Sequence, residues 1–271
     1  MYKNYWEIMF LKYMNEYNKV LVNKNKGSGC SKSGNNYEKK VWNVCKNCKW
    51  IGTEKMFNTQ SISQLAGSGA GNDIECDYLL QNDVPIEIKR PTPDWMQCSI
   101  EYANGKWQGK ENSKIPKECR EVFNDILSSH VLYDGVVPPF MVGKITHDEW
   151  CKIKLETSKW DDIYIEIPPD TIRKLYRLKG CKYIQIDGYG LYNLCDDICK
   201  FDVPLFDIVQ RLRIRPKIHS KKNKKGFCTL SVTAACQPVR LKDLVQSNYS
   251  LDDKDKLPKP LEYVLSNDNN F

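Results

Sequence analysis

The stretch of this chain best equipped for chemistry is Asp73-Ile-Glu-Cys-Asp-Tyr-Leu-Leu-Gln-Asn-Asp-Val-Pro-Ile-Glu-Ile-Lys-Arg90, where acids and a lysine recur at two-residue spacing. A three-residue loop of Gln81, Asn82 and Asp83 would fold it into a hairpin. In that register Leu80 faces Val84, Tyr78 faces Ile86, Asp77 faces Glu87, Cys76 faces Ile88 and Glu75 faces Lys89. The alternation of side chains along a strand then separates two faces. Cys76, Tyr78, Leu80, Val84, Ile86 and Ile88 make an apolar face suited to a core, and Glu75, Asp77, Glu87 and Lys89 gather on the other. Directly opposed residues stand about 5 Å apart at Cβ, so Asp77 and Glu87 are expected to converge. Two carboxylates that close repel one another unless a cation lies between them. Hard oxygen donors suit Mg²⁺, which takes one or two protein carboxylates and completes its shell with water and substrate phosphate. Lys89 on the same face would orient an attacking water or neutralise charge developing on the phosphate. The expected chemistry is hydrolysis of a phosphodiester. An ordinary amphipathic hairpin with a Glu75–Lys89 ion pair is the simpler alternative, and it leaves Asp77 against Glu87 unexplained.

Asp77 followed by Glu87-Ile88-Lys89, with a glycine-bearing approach (Gly67, Gly69, Gly71) and an earlier helical glutamate, resembles the PD-(D/E)xK superfamily of restriction-endonuclease-like nucleases. The resemblance covers roughly Ser33 to Arg90. It implies an α/β fold, an αβββαβ core with a mixed central sheet flanked by helices. It also implies Mg²⁺-dependent cleavage of DNA, with Mn²⁺ as a substitute and a homodimer left open. Carried over by position, Asp77 and Glu87 become metal ligands and Lys89 the catalytic lysine. Glu38 matches an extra acid on the preceding helix, although it also fits a capping glutamate for Asn35, and Glu75 is a further candidate ligand. The literal Pro-Asp pair is absent, and Asp73 competes with Asp77 for the first acid; it lies farther from the loop and ranks second.

A second feature concerns substrate. The net charge is +7, yet ten cations and no acid fall between Arg211 and Lys242. Arg211, Arg213, Arg215 and Lys217 alternate with Leu212, Ile214, Pro216 and Ile218, so a strand there puts every cation on one face. A lysine-rich tip follows at Lys221, Lys222, Lys224 and Lys225, before a return strand from Phe227 to Ala234. This pattern suits a polyanion, and these eight residues are the expected nucleic-acid contacts. Pro216, which lacks a ladder donor, points to an edge strand.

The elements that must hold these groups are legible in outline. The 271 residues, 41% hydrophobic and 28% charged, are enough for a large core. No signal peptide or membrane span is expected. Amphipathic spacing predicts helices over 5–22 and from Tyr37 through Cys48, over 116–129 and near 170–178, with a hairpin at Asn104-Gly105. Strands are expected at 164–167, 183–186 and 190–194, and the tail after Ser247 reads as an extended polar arm. The expected organisation is an N-terminal helix and linker (1–28), a nuclease-like core (29–206), and a C-terminal basic β-hairpin with its arm (207–271). Twelve scattered cysteines suggest a reducing intracellular compartment, and Lys-over-Arg usage with abundant Asn suggests an AT-rich genome, such as that of a large DNA virus in its host cytoplasm. Cys45-x2-Cys48 with Cys195-x3-Cys199 could hold Zn²⁺, but buried thiols explain the first pair more simply. Two rival readings therefore remain: a non-catalytic nucleic-acid-binding protein on the same fold, and an endonuclease whose substrate is RNA.

Overall fold

A computed structural model describes residues 36–57, 59–60, 74–78, 82–91, 94–138, 141, 145–218, 227–228 and 230–264. The expected helix over 5–22, Asn35, Asp73, and Lys221, Lys222, Lys224 and Lys225 lie outside the described residues.

The chain is a mixed α/β protein. Among the described residues it has four helices, α1 (36–45), α2 (Lys117–Ser128), α3 (His147–Glu156) and α4 (Thr171–Leu178). Its first five-stranded sheet contains β2 (Thr59–Gln60), β3 (Ile74–Tyr78), β4 (Asn82–Lys89), β9 (Tyr183–Ile186) and β10 (Gly190–Asn193), in the order β10-β9-β4-β3-β2. β2, β3 and β4 form an antiparallel meander, whereas β9 runs parallel to β4. A parallel neighbour requires a crossover, and α4 is the helix that leads into β9.

The second five-stranded sheet contains β5 (Met96–Ala103), β6 (Lys106–Gly109), β8 (Ile163–Ile167), β11 (Gln210–Ile218) and β13 (Leu230–Pro238), in the order β6-β5-β13-β11-β8. Two small ladders pair β1 (Cys48–Trp50) with β14 (Leu261–Tyr263), and β7 (Ile145–Thr146) with β12 (Phe227–Cys228).

Local chemistry accounts for these elements. The β5–β6 turn is Asn104-Gly105, both at positive φ (53° and 76°), the conformation a two-residue hairpin turn of the favoured hand requires. Cys119, Val122, Phe123 and Leu127 give α2 its buried stripe. Thr146 and Glu149 close a reciprocal capping box at the start of α3. All four residues of β9 are buried, as befits a strand covered on both faces.

Two cores follow. Tyr37, Val41 and Cys45 of α1 pack on Val84, Ile86, Ile88 and Tyr183, one face of the first sheet. The opposite face, with Ile184 and Ile186, meets Ile172, Leu175 and Tyr176 of α4, Cys119 and Phe123 of α2, and the inner residues Ile100, Leu212, Ile214, Val232 and Ala234 of the second sheet.

Several expectations are corrected. Helix α1 stops at residue 45 and Cys48 opens a strand, so both thiols are core residues on different elements. The basic hairpin is not a separate C-terminal unit, because β11 and β13 are inner strands of a sheet they share with β5, β6 and β8. β11 is also not an edge: β8 pairs it from Gln210 to Ile214, and Pro216 lies just past that pairing, where its missing donor costs nothing. Phe227 and Cys228 pair with β7 rather than β11. The tail does not extend away as an arm: Leu251 and Leu261 are buried, and β14 adds to β1.

Candidate active site

The site begins with β4, which is bounded by β3 on one side and by parallel β9 on the other. Glu87 and Lys89 stand opposite Ile184 and Ile186 of β9, so they occupy the face covered by α4, while Ile86 and Ile88 occupy the face covered by α1. The Glu87 side chain is only 2% exposed. A carboxylate that deep must be paired. Lys89 Nζ engages its Oε1, and Lys179 Nζ lies 2.7 Å from its Oε2. The Cys181 thiol also donates to Oε2, at 3.7 Å.

Both ammoniums also lie near one aromatic ring. Lys89 Nζ is 5.6 Å and Lys179 Nζ 5.2 Å from the centroid of Tyr176, within reach of cation–π attraction. Burial, the largest single influence, pushes the Glu87 carboxyl up, but the fields and hydrogen bonds of Lys89 and Lys179 together outweigh it. The net result holds the group below the usual carboxylate range, so Glu87 is ionised at neutral pH.

Lys179 was not legible as a site residue. It caps the C-terminal end of α4, where its N–H bonds to Leu175 O and Tyr176 O. The start of the same helix is fixed by Gln210 of β11, whose Oε1 accepts from Ile172 N at 2.8 Å and whose Nε2 donates to Pro169 O. The only advance signal was a lysine ending a crossover helix immediately before the strand parallel to β4.

The hairpin register differs from the expected one. Ile74 pairs with Ile86, Glu75 with Pro85, Cys76 with Val84, Asp77 with Asp83 and Tyr78 with Asn82. Asp77 therefore stands opposite Asp83, four residues along β4 from Glu87, or about 13 Å at strand rise. The expected close pair of Asp77 and Glu87 is not formed at the backbone level. The reason is that a displacement by an even number of residues leaves the apolar face intact, so the alternation is blind to it. Only the backbones of Glu75 and Asp77 are described. Glu38 is on α1, with the sheet between that helix and the face of Glu87.

As donors, these groups offer one buried, ionised carboxylate, a hard oxygen ligand of the class that Mg²⁺ takes. Among the described residues no three His, Cys, Asp or Glu side chains cluster as a metal-binding group. Cys45 and Cys48 donate to Leu251 O (3.7 Å) and Val44 O (3.3 Å), and burial pushes the Cys48 thiol up to about 12. Cys195 is exposed and donates to Asp196, while Cys199 is buried.

The three arginines of β11 do share one face, but acids and amides already engage them. Arg211 stacks on Tyr164 with its guanidinium 4.1 Å from the ring centroid, and its Nε donates to Gln237 Oε1 at 2.9 Å. Arg213 is held by Asp94 and lies 3.7 Å from Asp162. Arg215 lies 3.5 Å from Asp94. This face is thus an internally engaged network rather than an open row of cations. The backbone alone is described for Lys217.

Comparison of the chain with protein-family models, with curated proteins and with solved structures finds no match.

Proposed function

We propose that the chain is a divalent-metal-dependent endodeoxyribonuclease of the PD-(D/E)xK type. One observation carries this reading. Glu87-Ile88-Lys89 ends the strand between an antiparallel meander and a parallel neighbour, with the glutamate buried, ionised and in contact with the lysine two residues on. A buried ion cluster is a poor way to stabilise a sheet, since well-packed apolar residues do at least as well. Such a cluster points instead to a site. Helix α1, the meander β2-β3-β4, α4 and the parallel strand β9 follow in that order, with β1 ahead of the meander and β5, β6, α2, β7, α3 and β8 inserted between β4 and α4; with those insertions set aside, the order supports the αβββαβ core expected from the resemblance.

In this reading Glu87 is a Mg²⁺ ligand, with Mn²⁺ as a substitute. When bound, the metal supplies Lewis acidity toward the phosphate and a water of lowered pKa. Glu87 fixes where the scissile phosphate sits. Lys89, held at Glu87 and flanked by Tyr176, presents an ammonium to the charge that develops on the phosphate oxygens, in a setting from which water is largely excluded. The second acid is to be sought by substitution among Asp73, Glu75 and Asp77. DNA contact falls to the lysines at positions 217, 221, 222, 224 and 225, since Arg211, Arg213 and Arg215 are internally engaged.

A second reading has an observation of its own. Both Glu87 oxygens are taken by lysines, as they would be in a purely architectural ion cluster of a nucleic-acid-binding protein. Labelled duplex, junction, flap, single-stranded DNA and RNA, each incubated with the protein in Mg²⁺ or EDTA, separate the readings. Metal-dependent scission of a DNA substrate that is lost in Glu87→Gln supports the nuclease, and preferential scission of RNA moves the substrate. Salt-sensitive binding without scission of any of them overturns the nuclease in favour of the binding protein.

A further inference from the structure

We infer that the outer flank of α4, which carries Arg173, Lys174 and Arg177, is a nucleic-acid backbone interface leading to the Glu87 cluster. This rests on the reading that the chain acts on nucleic acid, and it holds for the binding protein as well as for the nuclease. From Thr171 to Ile186 the sequence has five cations, Arg173, Lys174, Arg177, Lys179 and Lys182, and no acid. The chain has eight arginines, and six of them, Arg90, Arg120, Arg211, Arg213, Arg215 and Arg240, already have a side-chain partner. Half-buried Arg173 and exposed Arg177 have none among the described residues, and Arg173 Nε is a buried donor without a hydrogen-bond acceptor there. The neighbouring helices pair their surface charges at four-residue spacing, Lys117 with Glu121 on α2 and Lys152 with Glu156 on α3. On α4 the same spacing sets Arg173 beside Arg177, two like charges about 5–6 Å apart at Cβ that repel one another. An anion between them offsets that repulsion and accepts from the orphaned donor, and guanidinium groups suit phosphate because each presents a planar fork of donors. At about 100° per residue, Arg173 and Arg177 lie on the flank next to Tyr176, whose ring has Lys89 and Lys179 near it. A phosphate backbone running along this flank therefore reaches the cluster at the end of the helix. A membrane surface fits less well, since Leu178 is the one large apolar side chain that α4 exposes.

The test reads binding rather than cleavage. Fluorescein-labelled duplex DNA, single-stranded DNA and RNA are each titrated with the full chain in EDTA over a range of KCl concentrations. Wild type is set beside three double variants, each shown to be folded by circular dichroism: Arg173→Gln with Arg177→Gln, Arg173→Lys with Arg177→Lys, and Lys254→Gln with Lys256→Gln. The last removes the same charge from an exposed turn elsewhere on the chain. Loss of two phosphate contacts should flatten the slope of log K against log salt by about 2 on duplex DNA. It should also weaken binding by about tenfold or more at low salt. The lysine pair should keep the wild-type slope, and the Lys254, Lys256 control should match wild type. An arginine-to-glutamine pair that behaves as the control does overturns the inference, and so does wild type that binds none of the three probes. Sedimentation with phosphatidylserine vesicles covers the other polyanion: vesicle binding lost in the arginine-to-glutamine pair, with nucleic-acid binding intact, overturns the inference in favour of a membrane surface. Failure of the nuclease reading looks different: Mg²⁺ would then give no scission while binding in EDTA still depended on Arg173 and Arg177.

Discussion

The ion cluster makes a prediction about stability that is independent of catalysis. In Glu87→Gln the side chain keeps its size, but one carboxylate oxygen becomes an amide NH₂, a donor facing a lysine donor. The partners are deep, with side chains 2%, 20% and 12% exposed for Glu87, Lys89 and Lys179. Removing one member of a buried ion pair costs about 3–5 kcal/mol. The two lysines keep some solvent access on flexible stems, which places this case at the low end, near 3 kcal/mol. With a urea m-value of about 3 kcal/mol/M, the unfolding midpoint should fall by about 1 M. The complementary change is the triple variant Glu87→Met, Lys89→Met, Lys179→Met, which replaces the whole cluster by apolar groups of similar length. It should be at least as stable as wild type, because desolvation of the charges offsets most of their attraction. Urea titration followed by tryptophan fluorescence measures both. A Glu87→Gln midpoint within about 0.2 M of wild type, or a triple variant less stable than wild type, would refute the reasoning.

Three further outcomes follow from particular contacts. The Glu87 carboxyl is held below its ordinary range, so the folded state binds fewer protons than the unfolded one between the two values. Its contribution is complete above the unfolded pKa of about 4.3 and is lost as pH falls through the folded value. The gap in urea midpoint between wild type and Glu87→Gln should therefore narrow as pH drops from 5 toward 3, and a constant gap would contradict the assignment. Gln185, fully buried, donates to Tyr37 Oη at 3.0 Å and Ser250 Oγ at 2.8 Å and accepts from Leu251 N at 2.9 Å. Gln185→Leu should cost about 3 kcal/mol, since each orphaned buried group costs about 1–3 kcal/mol, and should speed amide exchange over 247–264. Gly190 has φ +101°, and a Cβ there would meet Tyr249 O at 2.6 Å. Gly190→Ala should lower stability by more than about 2 kcal/mol, measured as a fall in the thermal midpoint.

What could be read in advance was what is local. The Asn104-Gly105 turn, the α2 and α4 stripes, and the runs that became β8, β9 and β10 each carry their own pattern and fold as expected. The register of β3 on β4 does not carry one, because even displacements preserve alternation and β4 is fixed from its other edge by β9. Cys48 fits a helical stripe as well as a strand, and β14 settles the matter by pairing with that strand from afar in sequence. The arginines of β11 looked free since Asp94, which pairs with two of them, lies 119 residues before Arg213. Lys179 escaped notice for the same reason, being 92 residues from Glu87. In each case the missing information is a long-range contact that no local pattern encodes.

The central claim is that Glu87 and Lys89 form a metal-dependent phosphodiester-cleaving site. Supercoiled plasmid incubated with the purified protein in Mg²⁺, Mn²⁺ or EDTA, beside Glu87→Gln and Lys89→Ala shown to be folded by circular dichroism, tests it most directly. Nicking that requires the metal and disappears in both variants is the predicted result. Nicking that persists in either folded variant, or that proceeds in EDTA, would contradict the account.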